Sequence, residues 1–122
     1  MSRIDLRRTP TGFKFDLKAA NGETVATSEV YTTKAACLKG ARSVLAAAPS
    51  APCVEGEPET VKNPRFEVFS DKGGRWRFRL RSRNGKIIAA SEPYLTRYGA
   101  LQGVEAARKS AKEALNTPGI EN

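Results

Sequence analysis

The 122-residue chain contains no histidine. It therefore lacks the side chain most often used as a general base near neutral pH, which is also the commonest metal ligand. Its two cysteines, Cys37 and Cys53, lack CxxC spacing and have no third or fourth ligand with which to hold zinc. No stretch approaches the roughly 18 consecutive apolar residues of a membrane span, and Met1 to Arg8 carries charges with no apolar run behind them. Gly73-Gly74 is not followed by the Lys-Ser/Thr of a phosphate loop, and no dinucleotide fingerprint joins a strand to a helix. These absences predict a cytoplasmic protein with no membrane contact, no metal and no cofactor. With no nucleophile beside a base and no convergent acid pair, the sequence reads as that of a non-enzyme.

What is present suffices for one modest core, since 39% of residues are apolar and 28% charged. The chain is also written twice. From Gly12 it reads GFKFDLKAANGETVATSEVYTTKAACLKG, and from Arg75 it reads RWRFRLRSRNGKIIAASEPYLTRYGALQG. Phe15, Leu17, Asn21, Gly22, Ser28, Glu29, Tyr31, Thr33 and Gly40 recur 63 positions later as Phe78, Leu80, Asn84, Gly85, Ser91, Glu92, Tyr94, Thr96 and Gly103. Ile4-Asp5-Leu6 matches Phe66-Glu67-Val68, and Pro52-Cys53-Val54-Glu55 can be laid on Pro118-Gly119-Ile120-Glu121. The expected organisation is one pseudo-twofold domain, with repeat 1 over residues 1–57, repeat 2 over 64–122 and a linker at 58–63.

Each repeat reads as three strands, a helix and a short tail strand. Asn-Gly between two alternating runs is the strongest short hairpin signal, and at Asn21-Gly22 and Asn84-Gly85 it predicts two-residue type I′ turns. Thr33 and Thr96 are placed to cap helices, and Pro49 to end the first. Gly40 and Gly103 fall inside those helices, where glycine costs about 1 kcal/mol relative to alanine, so a close approach by a neighbouring element is expected there. The motif F-x-F-x-L-x-x-x-N-G-x-x-x-x-x-S-E-x-Y followed by a helix resembles that of the YegP-like family of small uncharacterised proteins. The resemblance covers both repeats. It implies an α+β fold in which tandem β-β-β-α-β units form a single antiparallel sheet with two helices on one face and exchange their terminal strands. It implies no activity.

Two-residue turns would pair Ala20 with Glu23 and Arg83 with Lys86. The buried face then holds Phe13, Phe15 and Leu17 with Ala26, Ser28 and Val30, and Trp76, Phe78 and Leu80 with Ile87, Ala89 and Ser91. On the other face Lys14 is expected between Asp5 and Glu29, and Arg77 between Glu67 and Glu92. Such acid-base-acid rows contribute roughly 0.2 to 1 kcal/mol per pair. Charge is then unevenly distributed: residues 1–63 carry a net +2 and residues 64–122 a net +6. In repeat 2, Arg65 is expected to face Arg79 with no acid opposite. The functional expectation is a non-catalytic interaction module, monomeric, with a nucleic acid or an acidic protein as the conceivable partners. Its alternative is weak, sequence-independent nucleic-acid binding through Arg65, Arg75, Arg79, Arg81, Arg83 and Lys86. Trp76 and Phe78 point into the core, so they offer no platform for stacking bases.

Overall fold

Residues two apart on a strand share a face, and the period-two apolar positions of both repeats converge on one core. Phe15, Leu17, Phe66, Val68, Phe78 and Leu80 are all buried in a single cluster with Val44, Leu45, Val104 and Ala107 of the helices. The computed structural model describes residues 2–56 and 58–115. Along the chain it has β1 (Arg3–Thr9), β2 (Gly12–Lys18), β3 (Thr24–Thr27), α1 (Lys34–Ala47), β4 (Cys53–Glu55), β5 (Arg65–Ser70), β6 (Trp76–Arg81), β7 (Ile87–Ala90) and α2 (Arg97–Leu115).

The sheet has seven strands in the order β1-β2-β3-β7-β6-β5-β4. The two repeats meet where Thr27 of β3 opposes Ala90 of β7. All neighbours are antiparallel except one. β4, which belongs to the first repeat in sequence, crosses to the far edge and lies parallel to β5, with Val54 opposite Glu67, so the sheet is mixed. Ala51 accepts from Arg108 Nη2 of α2 at 2.7 Å and Glu55 pairs with Arg97 at 2.6 Å, fastening this exchanged strand to the second repeat. The counterpart strand, expected where Pro118-Gly119-Ile120-Glu121 aligns with Pro52-Cys53-Val54-Glu55, lies outside the described residues.

Both helices begin where the threonines place them. Thr33 Oγ1 accepts from the N–H of Ala36 at 3.1 Å, and Thr96 Oγ1 from Gly99 at 2.9 Å. Gly40 and Gly103 are explained by the repeated tyrosines. A Cβ on Gly40 would stand 2.2 Å from the Tyr31 hydroxyl, and one on Gly103 would stand 2.3 Å from that of Tyr94.

Two expectations about register fail, for different reasons. The Asn-Gly turns are not type I′, because among the described residues none other than glycine has positive φ. Instead Gly22 N–H bonds to Ala19 O and Ala19 N–H to Glu23 O, with Gly22 at φ 88°. This three-residue loop is a type I turn closed by a left-handed glycine. Its extra residue is taken back one step later: a bulge lies between Leu17 and Lys18, so Leu17 still opposes Ala26 as expected. The same device at Gly85 leaves Leu80 opposite Ala89. It also makes Ile88 the buried isoleucine, at 4% exposure, in place of Ile87.

The β1–β2 and β5–β6 pairings are each shifted by two residues. Thr9 opposes Gly12 across Pro10-Thr11, which puts Asp5 opposite Asp16 and Arg3 opposite Lys18. In repeat 2, Glu67 opposes Arg79 and Arg65 opposes Arg81. A shift of two leaves every side chain on its face, so the apolar pattern cannot distinguish the two registers. The acid-base-acid rows are therefore absent. Arg77 pairs with Asp71 at 2.9 Å and Arg7 with Asp16 at 2.8 Å, while Glu29 and Glu92 are exposed beyond the strands.

Candidate functional site

The shifted register gives the basic strand an acid. Glu67, on the face away from the helices, is fully buried at 0% exposure. Burying a carboxylate is costly unless it is paired and hydrogen-bonded, and three guanidiniums meet that need. Arg65 Nη2 lies 2.6 Å from Oε2, Arg79 Nε 2.5 Å from Oε1 and Arg81 Nε 2.9 Å from Oε1. Burial pushes the Glu67 carboxyl up, but the hydrogen bonds from Arg79, Arg65 and Arg81 outweigh it and hold the group below the usual carboxylate range. Arg65 also donates from Nη1 to the carbonyls of Pro58 and Val61, at 2.5 and 2.6 Å, and so ties down the segment that returns from β4 to β5. Arg79 lies over the Phe69 ring at 4.5 Å.

The six residues singled out in the sequence thus separate. Arg65, Arg79 and Arg81 gather on Glu67. Arg75 is exposed at the opposite end of β6, its backbone N–H bonded to Asp71 Oδ1 at 3.0 Å. Arg83 and Lys86 sit at the tip of the β6–β7 hairpin, both exposed, and help to wall a cleft on the helix side of the sheet.

That cleft has a volume of about 710 Å³ and lies between the hairpin tip and α1. Its charged lining consists of Lys39, Arg83 and Lys86, with no carboxylate among the described residues. Its α1 wall is made of small residues, Ala36, Gly40, Ser43 and Ala47, and Ile88 supplies an apolar base. Tyr31 closes one side. It is stacked on Phe15 at 6.3 Å, and Lys86 Nζ lies 5.6 Å above its ring. The hairpin tip is held in shape, because Asn84 Oδ1 accepts from the backbone N–H of Lys86 at 3.2 Å and Gly85 is left-handed at φ 87°. The cleft needs both repeats: one wall is the helix of the first and the other is the hairpin of the second.

Where ionisable groups are shifted, the shifts run away from neutral pH. Arg7 and Thr27 donate to Asp16, and with the Arg7 and Lys18 charges they override burial and hold its carboxyl below the usual range. The Arg77 hydrogen bond lowers Asp71. Burial pushes the thiols of Cys37 and Cys53 up, and likewise the phenols of Tyr31 and Tyr94. The repeated serines have a backbone task. Ser28 Oγ accepts from the N–H of Phe15, and Ser91 Oγ from that of Phe78, each at 2.9 Å.

Lys39, Ser43 and Tyr31 were not among the sequence candidates. A signal for two of them was available in the differences between the repeats rather than in their identities. Lys39 and Ser43 stand where the other copy has Gln102 and Ala106, and Arg83 and Lys86 where it has Ala20 and Glu23.

The pattern of a domain of unknown function (DUF1508) matches the chain twice, over residues 11–55 and 71–117. A UPF0339 protein of Photorhabdus laumondii is 42% identical over 110 residues, covering 89% of this chain and 86% of that protein. A UPF0339 protein of Methanosarcina acetivorans is 46% identical over 50 residues, which is 41% of this chain and 86% of the relative, so that protein is about one repeat long. The solution NMR structure of the Escherichia coli protein YegP, described as of unknown function, superposes with a TM-score of 0.76 at 29% identity, over 93% of this chain and 88% of that one. No helix among the described residues is long and apolar enough to cross a membrane.

Proposed function

The chain belongs to the DUF1508 family, a domain of unknown function, and on that footing we propose that it is a non-catalytic interaction module whose partner is anionic. One observation carries this reading. Lys39, Arg83 and Lys86 line one cleft in which no described residue supplies an acid, whereas the neighbouring Arg65, Arg77, Arg79 and Arg81 each lie on a carboxylate. All three are exposed, and an anion that reaches more than one of them gains charge-assisted hydrogen bonds. The non-catalytic part of the reading is supported by the ionisable groups just described. The shifted carboxyls are moved down and the thiols up, the reverse of what a general acid or a thiolate nucleophile requires.

Direct binding tests the reading. A fluorescently labelled acidic peptide and a labelled oligonucleotide, each titrated at low salt, should bind the native chain and bind R83A/K86E more weakly. Equal binding by that variant, or none by the native chain, would count against an anionic partner at this end of the molecule.

A second reading, sequence-independent nucleic-acid binding through Arg65, Arg75, Arg79, Arg81, Arg83 and Lys86, starts from the density of basic residues between positions 75 and 86, although Arg65, Arg79 and Arg81 are gathered on Glu67 and Arg83 and Lys86 face the cleft. It predicts a steep salt dependence. Each phosphate neutralised contributes about −0.9 to the slope of log K against log salt on duplex DNA, so six contacts give about −5 and two give about −2. A slope near −2 would restrict contact to the hairpin tip.

A further inference from the structure

We infer that the cleft between α1 and the β6–β7 hairpin is a binding site for a small organic phosphate, a phosphomonoester with an uncharged ring as its body. This inference rests on the anionic-partner reading and narrows it to a class of ligand.

Size comes first. At about 710 Å³ the cleft falls within the range of about 300 to 1,000 Å³ usual for small-molecule sites. A helix flanks it on one side and a hairpin tip on the other, with room between them for a monomeric ligand. Charge comes second. Lys39, Arg83 and Lys86 bring three positive charges to the rim, which suits a phosphomonoester dianion better than a single carboxylate. The Arg83 fork can donate to two phosphate oxygens side by side, while the lysines act as point charges. Surface is third. Ala36, Gly40 and Ala47 give α1 a flat, narrow strip facing the cleft, with Ile88 at the base. That strip can cover a ring's face, and Ser43 and Asn84 stand beside it as polar groups for the ring's edge.

The second copy of the fold provides an internal control. The tyrosine on its glycine, the Asn-Gly turn and the helix cap occur in both repeats, so the fold requires them in both. The three cations do not recur: Lys39, Arg83 and Lys86 are replaced by Gln102, Ala20 and Glu23. At that second place the Glu23 charge helps to raise the Tyr94 phenol, and Ser2, buried at 1% exposure, donates to Glu113 of α2. Identical architecture therefore tolerates a neutral or acidic set of side chains. The basic set in the first cleft is not needed for folding.

The same comparison supplies a variant expected to fold. K39Q/R83A/K86E places in the cleft the residues that the other copy already carries. The native chain and this variant, both labelled with ¹⁵N, would be titrated with AMP, ribose 5-phosphate, adenosine and inorganic phosphate, and amide shifts followed by NMR. AMP should produce saturable shifts at Tyr31, Gly40, Ser43, Gly85 and Lys86 in the native chain, leaving Tyr94 and Gly103 in place. Adenosine and inorganic phosphate should each bind at least about tenfold more weakly than AMP, and the variant should lose about tenfold or more for AMP. Ribose 5-phosphate shows how much of the affinity comes from the base. Absence of saturable AMP and ribose 5-phosphate shifts at about 1 mM overturns the inference. So do shifts that survive the triple substitution, and shifts of equal size at Tyr94 and Gly103. If the acidic peptide or the oligonucleotide binds and R83A/K86E weakens it while AMP does nothing, the small-ligand inference falls and the anionic-partner reading stands. If nothing anionic binds, both fall.

Discussion

The hydroxyl of Tyr31 occupies the space that a side chain on Gly40 would need, 2.2 Å from where its Cβ would be. In an unconstrained helix interior, replacing glycine by alanine stabilises by about 1 kcal/mol. Here G40A should do the opposite, destabilising by about 1 to 3 kcal/mol as the ring is pushed off its seat. Urea unfolding measures it. Combining G40A with Y31A should cost less than the sum of the two single changes, and strict additivity would show that the ring is not what excludes the methyl group.

E67Q removes the carboxylate from three guanidiniums and should destabilise at neutral pH by about 3 to 5 kcal/mol, the usual cost of breaking a buried pair from one side. The pH dependence has a definite sign. The Glu67 carboxyl is depressed in the folded state, so its contribution is complete above the ordinary glutamate value of about 4.3 and is lost as pH falls through the folded-state value. The stability gap between native protein and E67Q should therefore narrow in acid. A constant gap from neutral pH down to the acid transition would contradict this.

S28A and S91A should each cost about 1 to 3 kcal/mol, because a buried backbone N–H, of Phe15 or Phe78, loses its acceptor. Thermal or urea unfolding would register the loss. Cysteine, isosteric but a weak acceptor, should recover little of it. A neutral S28A would leave the hydroxyl with only its role as a small residue under a helix.

Residues 1–63 expressed alone should be unfolded at low concentration and dimeric at high concentration. Their β3 edge has lost β7, and β4 has lost β5, so only a second copy can supply the missing partners. Sedimentation velocity would decide it, and a folded monomer would contradict the dependence of each repeat on the other.

The strands, the helix caps and the buried face could be read from the sequence because each rests on local periodicity or on one side chain bonding its own turn, as at Thr33 and Thr96. Register was less legible. Cross-strand charge pairs worth less than about 1 kcal/mol each favour Lys14 opposite Asp5, whereas the short Pro10-Thr11 connection, closed by Thr9 and Gly12, sets the alignment two residues away. The burial of Glu67 followed from that shift and could not be foreseen without it. Of the cleft, Arg83 and Lys86 were anticipated as cations, though on the wrong side of the sheet. Lys39 and Tyr31 join them only because α1 of one repeat packs beside the hairpin of the other, a contact between distant parts of the chain that no local pattern encodes.

The exchanged placement of helix and hairpin has a consequence for how such a site can change over time. If two separate, identical chains built this fold, every substitution at one cleft would appear at the other, so a residue useful in one and harmful in the other could not be kept. Joining the copies in one chain removes that coupling. Lys86 and Glu23 occupy equivalent positions with opposite charge, a difference that a symmetric dimer of identical subunits cannot carry.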